Sequence, residues 1–256
     1  MNYFFGLSNS IFKSSLTIPK FQNNGNKTDK YSPFEITISN NEWLIKKCNF
    51  TEDENFFFLD DSIITNEKIF FLANNQEVDQ FNLSKTELYR YNNFTNTQPV
   101  NFRSNLRISY KNKGFSSYQS EYPFEMTQKN GNVLSSIFSL LNSNADKNYI
   151  MFRNIFKNPI IKKFNLYLID IKKKEILNSI DILSNSSNLI YIDNKYINEN
   201  TYLLTDNFIG IPIFISLKDN HLSMEHTHPP HHYVISDEKF KVITKLKNEI
   251  KAKIIQ

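Results

Sequence analysis

Short runs of β-branched and aromatic residues, each bounded by Asn, Asp, Glu or Ser, recur along nearly the whole chain: FEITIS, WLIKKCNF, NFFFL, KIFFLA, YIMF, FNLYLIDI, EILNSIDIL, NLIYID, TYLLTD and PIFISL. Runs this short suit half-buried or fully buried strands and are too brief for helices that carry a core. They follow one another without the intervening helices that parallel sheets require. The pattern therefore predicts a mainly β protein, an antiparallel β-sandwich or open barrel, with an α+β arrangement as the alternative. In Val100–Tyr110 the alternation is clean, with Leu106, Ile108 and Tyr110 on one face and Arg103, Asn105 and Arg107 on the other.

Helical periodicity appears in three places. Val133, Leu134, Ile137, Phe138 and Leu141 predict an internal helix within residues 131–146. Phe240, Ile243, Leu246, Ile250 and Ile254 form the apolar stripe of an amphipathic helix over 237–254, with Ser236 or Asp237 as its N-cap. Phe4, Leu7, Ile11 and Phe12 have the spacing of a short N-terminal helix docked on the core. A polar stretch over 74–98, closed by Pro99, divides the chain into a β-rich part (1–98) and a second β-rich part (99–256) ending in the helix. The two parts are also compatible with a single domain.

At 256 residues the chain can bury a core without help from disulfides or metal. Its 36 Asn and 26 Lys against only 4 Arg indicate a compositional bias rather than a function. Five glycines, none closer than 17 residues to the next, rule out the GxGxxG and GxxxxGK phosphate loops. HExxH, GxSxG and paired CxxC motifs are absent as well. The net charge of +4 is dispersed among acids, which argues against a specific nucleic-acid footprint. Cys48 stands alone, so neither an intrachain disulfide nor a cysteine-based metal site can form, and its setting is that of a small buried strand residue. The longest apolar stretch, Phe208–Leu217, falls far short of the ~20 residues a transmembrane helix needs. A cytoplasmic protein with no transmembrane segment is the expectation.

All five histidines lie in one window, HLSMEHTHPPHH, as His221, His226, His228, His231 and His232. The reading PIFISL-KDN-HLSMEHTH is a hairpin whose return strand carries the cluster. On that strand Leu222, Met224, His226 and His228 share a face, so an apolar face ends in imidazoles. Pro229-Pro230 then breaks the strand and lets His231 return toward the pair. His226, His228 and His231 make a three-nitrogen set suited to a divalent metal, Zn, Fe or Mn. Glu225 and His232 are the nearest general-base candidates for activating a metal-bound water.

Substrate-binding candidates come from the rare arginines and from one polar stretch. Arg103 and Arg107 stand about 13 Å apart on one strand face, a spacing that suits two anionic groups rather than one carboxylate. Arg153 follows a predicted strand and is either a further charged contact or a member of a surface ion pair. Residues 116–123, read as a loop ahead of a proline bend, contribute Tyr118, Ser120, Glu121 and Tyr122. The function these residues point to is a metal-dependent hydrolase acting on a small polar or anionic substrate such as a sugar derivative. A non-catalytic carbohydrate- or anion-binding module and a structural or assembly protein are the alternatives.

Overall fold

A computed structural model describes the chain apart from residues 1, 22–24, 28–29, 75, 77, 79–85, 89–103, 112–113, 207, 227–236 and 255–256. It is mainly β and antiparallel, as the short apolar runs predict. In chain order the strands are β1 (Asn2–Phe4), β2 (Phe12–Pro19), β3 (Tyr31–Ser39), β4 (Glu42–Lys47), β5 (Thr51–Glu52), β6 (Phe56–Leu59), β7 (Ile69–Asn74), β8 (Asn105–Tyr110) and β9 (Gly114–Gln119). They continue as β10 (Glu121–Pro123), β11 (Leu134–Ser136), β12 (Lys147–Arg153), β13 (Lys163–Asp170), β14 (Glu175–Leu183), β15 (Ser187–Ile192), β16 (Thr201–Thr205), β17 (Ile211–Lys218) and β18 (His221–His226). An α-helix, α1 (Asp237–Ile254), closes the described fold. It is not long and apolar enough to cross a membrane, and no other described helix is.

These strands form four sheets rather than the two leaves of one sandwich. Sheet I has the order β10-β1-β7-β3-β4 and sheet II the order β5-β6-β2-β8-β9. Sheet III is β15-β12-β17-β18 and sheet IV is β11-β16-β13-β14. Strand β8, from beyond residue 98, pairs with β2 from before it in sheet II.

The side-chain period of two distributes the core between layers. On sheet III, Tyr149, Met151, Ile213, Ile215 and Leu217 join the cluster shared with sheets I and II, while Ile150, Phe152, Ile190 and Phe214 face sheet IV. The outer face of sheet IV, Tyr167, Ile169 and Leu204, is covered by Ile250 of α1. The central strands of sheet III, β12 and β17, are thus covered on both faces, which is why β17 reads as the continuous run IPIFISL in sequence.

Asparagine supplies the turns. Asn40 (φ 52°) and Asn41 (φ 60°) make the two-residue connection of β3 to β4, and Asp219 (φ 49°) and Asn220 (φ 65°) that of β17 to β18. Two consecutive positive φ values match the right-handed strand twist, and Asn and Asp tolerate them best among non-glycine residues. In a chain with five glycines, Asn takes over the role glycine usually has.

Three expectations are corrected. Residues 131–146 hold no α-helix: Leu134–Ser136 pair with β16, and only one helical turn follows, from the Ile137 carbonyl to Leu141 N–H at 2.9 Å. Strand and turn together bury Ile137 and Leu141 and expose Phe138, so their combination imitates a 3.6-residue period. The N-terminal segment is strand and coil, because Phe4 pairs with Glu121 and Phe70 and Phe12 pairs with Tyr110. Residues 116–123 lie largely in β9 and β10 rather than in a loop. Helix α1 has the expected bounds and is held by Lys251–Asp206 at 2.7 Å and by Lys247 Nζ donating to the Asn132 carbonyl at 2.6 Å.

Ile213→Ala, which opens a cavity at the doubly covered β17, is expected to destabilise the protein by about 2–5 kcal/mol in urea unfolding. Ile161→Ala, at a residue 58% exposed, is expected to stay within about 0.5 kcal/mol of wild type.

Candidate functional site

Strand β18 is held against β17 along its whole length, and its last residue, His226, pairs with Ile213. Leu222 and Met224 are buried in the shared core, and His226, on the same face two residues on, is half-buried where that core reaches the surface. Strand β9 of sheet II lies alongside β18 and brings Tyr118 to this point. The Tyr118 and His226 ring centroids are 3.8 Å apart with an interplanar angle of 56°. Glu225 projects to the opposite, solvent side of β18. Burial raises the Tyr118 phenol above its ordinary value, and the Glu225 carboxylate adds to that rise.

Two of the candidate residues, Tyr118 and His226, are therefore in ring contact at one corner, and Glu225 lies next to His226 in sequence but on the other face of β18. The other three named histidines of the constellation, His228, His231 and His232, lie outside the described residues, as does Arg103. Among the described residues no group of three or more His, Cys, Asp or Glu is placed to hold a metal ion. His221, at the opposite end of β18, is exposed.

The first residue of β9, Gly114, lies against the turn that starts β18. A Cβ on Gly114 would overlap the Asn220 carbonyl oxygen, a backbone atom that cannot rotate away. A side chain there would force β9 and β18 apart.

Arg107 stands on the outer face of sheet II with its guanidinium 3.9 Å from the centre of the Phe115 ring, a cation–π contact at an exposed site. It borders a cleft of about 440 Å³ also lined by Lys13, Ser15, Asp60 and Asp61. Lys13 and Asp61 form an ion pair at 2.7 Å. Sequence reading does not find Lys13, Asp61 or Phe115, since the strand pairing that gathers them leaves no local pattern.

The other candidates are internal. Ser120 is buried, accepts the Phe5 N–H at 2.8 Å and donates to the Phe5 carbonyl, tying β1 to the β9–β10 junction. Glu121 is half-buried in β10. Tyr122 is fully buried, its phenol pushed up by burial and moderated by the Ile155 N–H and the Arg153 charge. Arg153 is also fully buried, so the surface ion pair is ruled out for it. Cys48 is buried as expected, and burial pushes its thiol up to about 12, with the Glu35 charge adding to the effect. That makes it a poor nucleophile at neutral pH.

Comparison with known protein families, with curated proteins and with solved structures finds no match for this chain.

Gly114→Ala is expected to cost about 1–3 kcal/mol by overpacking the start of β9 against the Asn220 turn, read as a lower urea midpoint. Ser117→Ala, on the exposed face of the same strand, is the control and should unfold with the wild type.

Proposed function

We propose that this chain is a metal-binding β-protein in which His226, His228 and His231 hold one divalent cation of the zinc, iron or manganese class. The reading extends to a metal-dependent hydrolase for a small polar or anionic substrate, with Glu225 and His232 as the proton-accepting groups. The cation would supply an activated water at neutral pH. The observation that carries the proposal is the corner itself. The ladder of β17 and β18 fixes the backbone of His226, and Tyr118 packs on its ring, so one imidazole is set in place where the histidine-rich stretch begins.

The residues of this chain divide the work accordingly. Tyr118 limits the ring of His226 to one orientation, and Glu225 presents a carboxylate on the solvent side. Arg107 lies on the other face of sheet II from Tyr118, in a separate cleft, and in this reading it is a contact for a substrate anion only where the ligand extends there. The four sheets, a propeller-like set in this reading, provide the rigid support such a corner needs. A cytoplasmic setting belongs to the same reading.

The test is elemental analysis of protein purified without a histidine tag, on wild type and on His226→Ala and His228→Ala. About one ion per wild-type chain and at least roughly tenfold less in each variant is the expected result. A metal-free wild type, or variants that retain the metal, would contradict it. Chelation should abolish, and zinc restore, hydrolysis of p-nitrophenyl esters or phosphates. Bound metal without turnover would overturn the hydrolase assignment alone.

A second reading, a non-catalytic carbohydrate- or anion-binding module, is favoured by the Tyr118–His226 ring contact beside a carboxylate, since aromatic faces and carboxylates together suit sugar hydroxyls and ring C–H groups. It requires chelator-treated protein to be stabilised against heat by a monosaccharide or sugar phosphate.

A further inference from the structure

Arg153, the last residue of β12, lies where sheets I and III meet the segment around Asn66. Its neighbours across the ladder are Ser187 and Ile211. Its side chain is 0% exposed. Only one corner of the guanidinium is used: Nη1 donates to the Asn66 carbonyl and, at 3.3 Å, to Ser187 Oγ, which itself donates to the Gly6 carbonyl at 2.7 Å. The Phe5 ring lies on one side, with its centre 5.9 Å from the guanidinium carbon.

Among the described residues Nε and Nη2 have no hydrogen-bond partner. These two atoms form the side edge of the guanidinium, the fork whose parallel N–H bonds chelate a carboxylate or another compact anion. Among the described residues Arg153 has no salt bridge. Glu67 is exposed and acts on it only weakly, behind burial and Tyr122. Burial lowers the Arg153 value to about 9, the direction expected of a cation without a buried counter-charge. A water molecule would satisfy the two N–H groups and leave the charge uncompensated. Taking an unpaired ion into the interior costs several kcal/mol.

We propose that the Nε/Nη2 edge of Arg153 is a buried binding site for a small monovalent anion, a halide or a one-carbon carboxylate. The anion supplies the counter-charge at the junction of sheets I and III. The site is independent of the histidine corner.

The test holds ionic strength constant while gluconate is exchanged for chloride in one series and for formate in another. Thermal stability is expected to rise by about 2–4 °C with one or both small anions, growing with the logarithm of concentration, and the two series show which anion is preferred. Arg153→Met removes the charge at similar volume and is expected to fold and lose the anion response. If that variant fails to fold, crystals of the wild type in bromide decide: an anomalous peak within hydrogen-bond reach of both Nε and Nη2 supports the site. Melting that ignores anion identity, or a water on that edge in bromide, would overturn it.

Discussion

The fold depends on the central strands of sheet III, β12 and β17, being buried on both faces. From Ile211 to Leu217 every residue of β17 is buried, alternately toward sheets I and II and toward sheet IV. A strand with no solvent face has a register enforced from two sides, because a one-residue slip would exchange two differently shaped sets of side chains. Beside it, β12 places Tyr149 and Met151 on one side and Ile150 and Phe152 on the other. The remaining layers depend on this pair: sheets I and II have one half of their core on it, sheet IV has the other, and α1 covers what sheet IV leaves exposed.

This arrangement explains where chemistry can reside. Strands buried on both faces, as β12 and β17 are, leave little room for exposed polar groups, whereas the edge strand β18 keeps a solvent face with Ser223 and Glu225. His226 stands at the end of β18 and Arg153 at the end of β12, and the fold treats them in opposite ways. His226 is half-buried against Tyr118 and opens toward solvent, whereas Arg153 is enclosed by the Phe5 region and the Asn66 segment. The first position suits exchange with a ligand, and the second suits a permanent counter-ion.

Much of the local structure was legible in the sequence. The apolar runs FEITIS, KIFFLA and PIFISL became β3, β7 and β17, the hairpin carrying the histidines lay where its turn residues placed it, and α1 has the bounds its stripe predicted. The helix expected over 131–146 failed because period-3.6 spacing over a few residues also arises from a strand followed by one turn. Only the partner strand, β16, distinguishes the two. Pairings between distant residues left no local trace: Ser120 holds Phe5 across 115 residues of chain, and Arg153 finds Asn66 across 87. That is why Arg153 read as a ligand contact or a member of a surface ion pair. Its environment comes from the N-terminal strand and a loop that its own neighbours in sequence do not reveal.

The central claim is that the histidine-rich stretch, starting from the fixed His226, holds a divalent cation. X-ray absorption at the zinc edge, on untagged protein reconstituted with one equivalent of zinc, addresses it most directly. The account expects a first shell with about three imidazole nitrogens at about 2.0–2.1 Å and the outer-shell scattering of ordered imidazole rings. A spectrum matching hydrated zinc, with oxygen neighbours and no imidazole scattering, would contradict it.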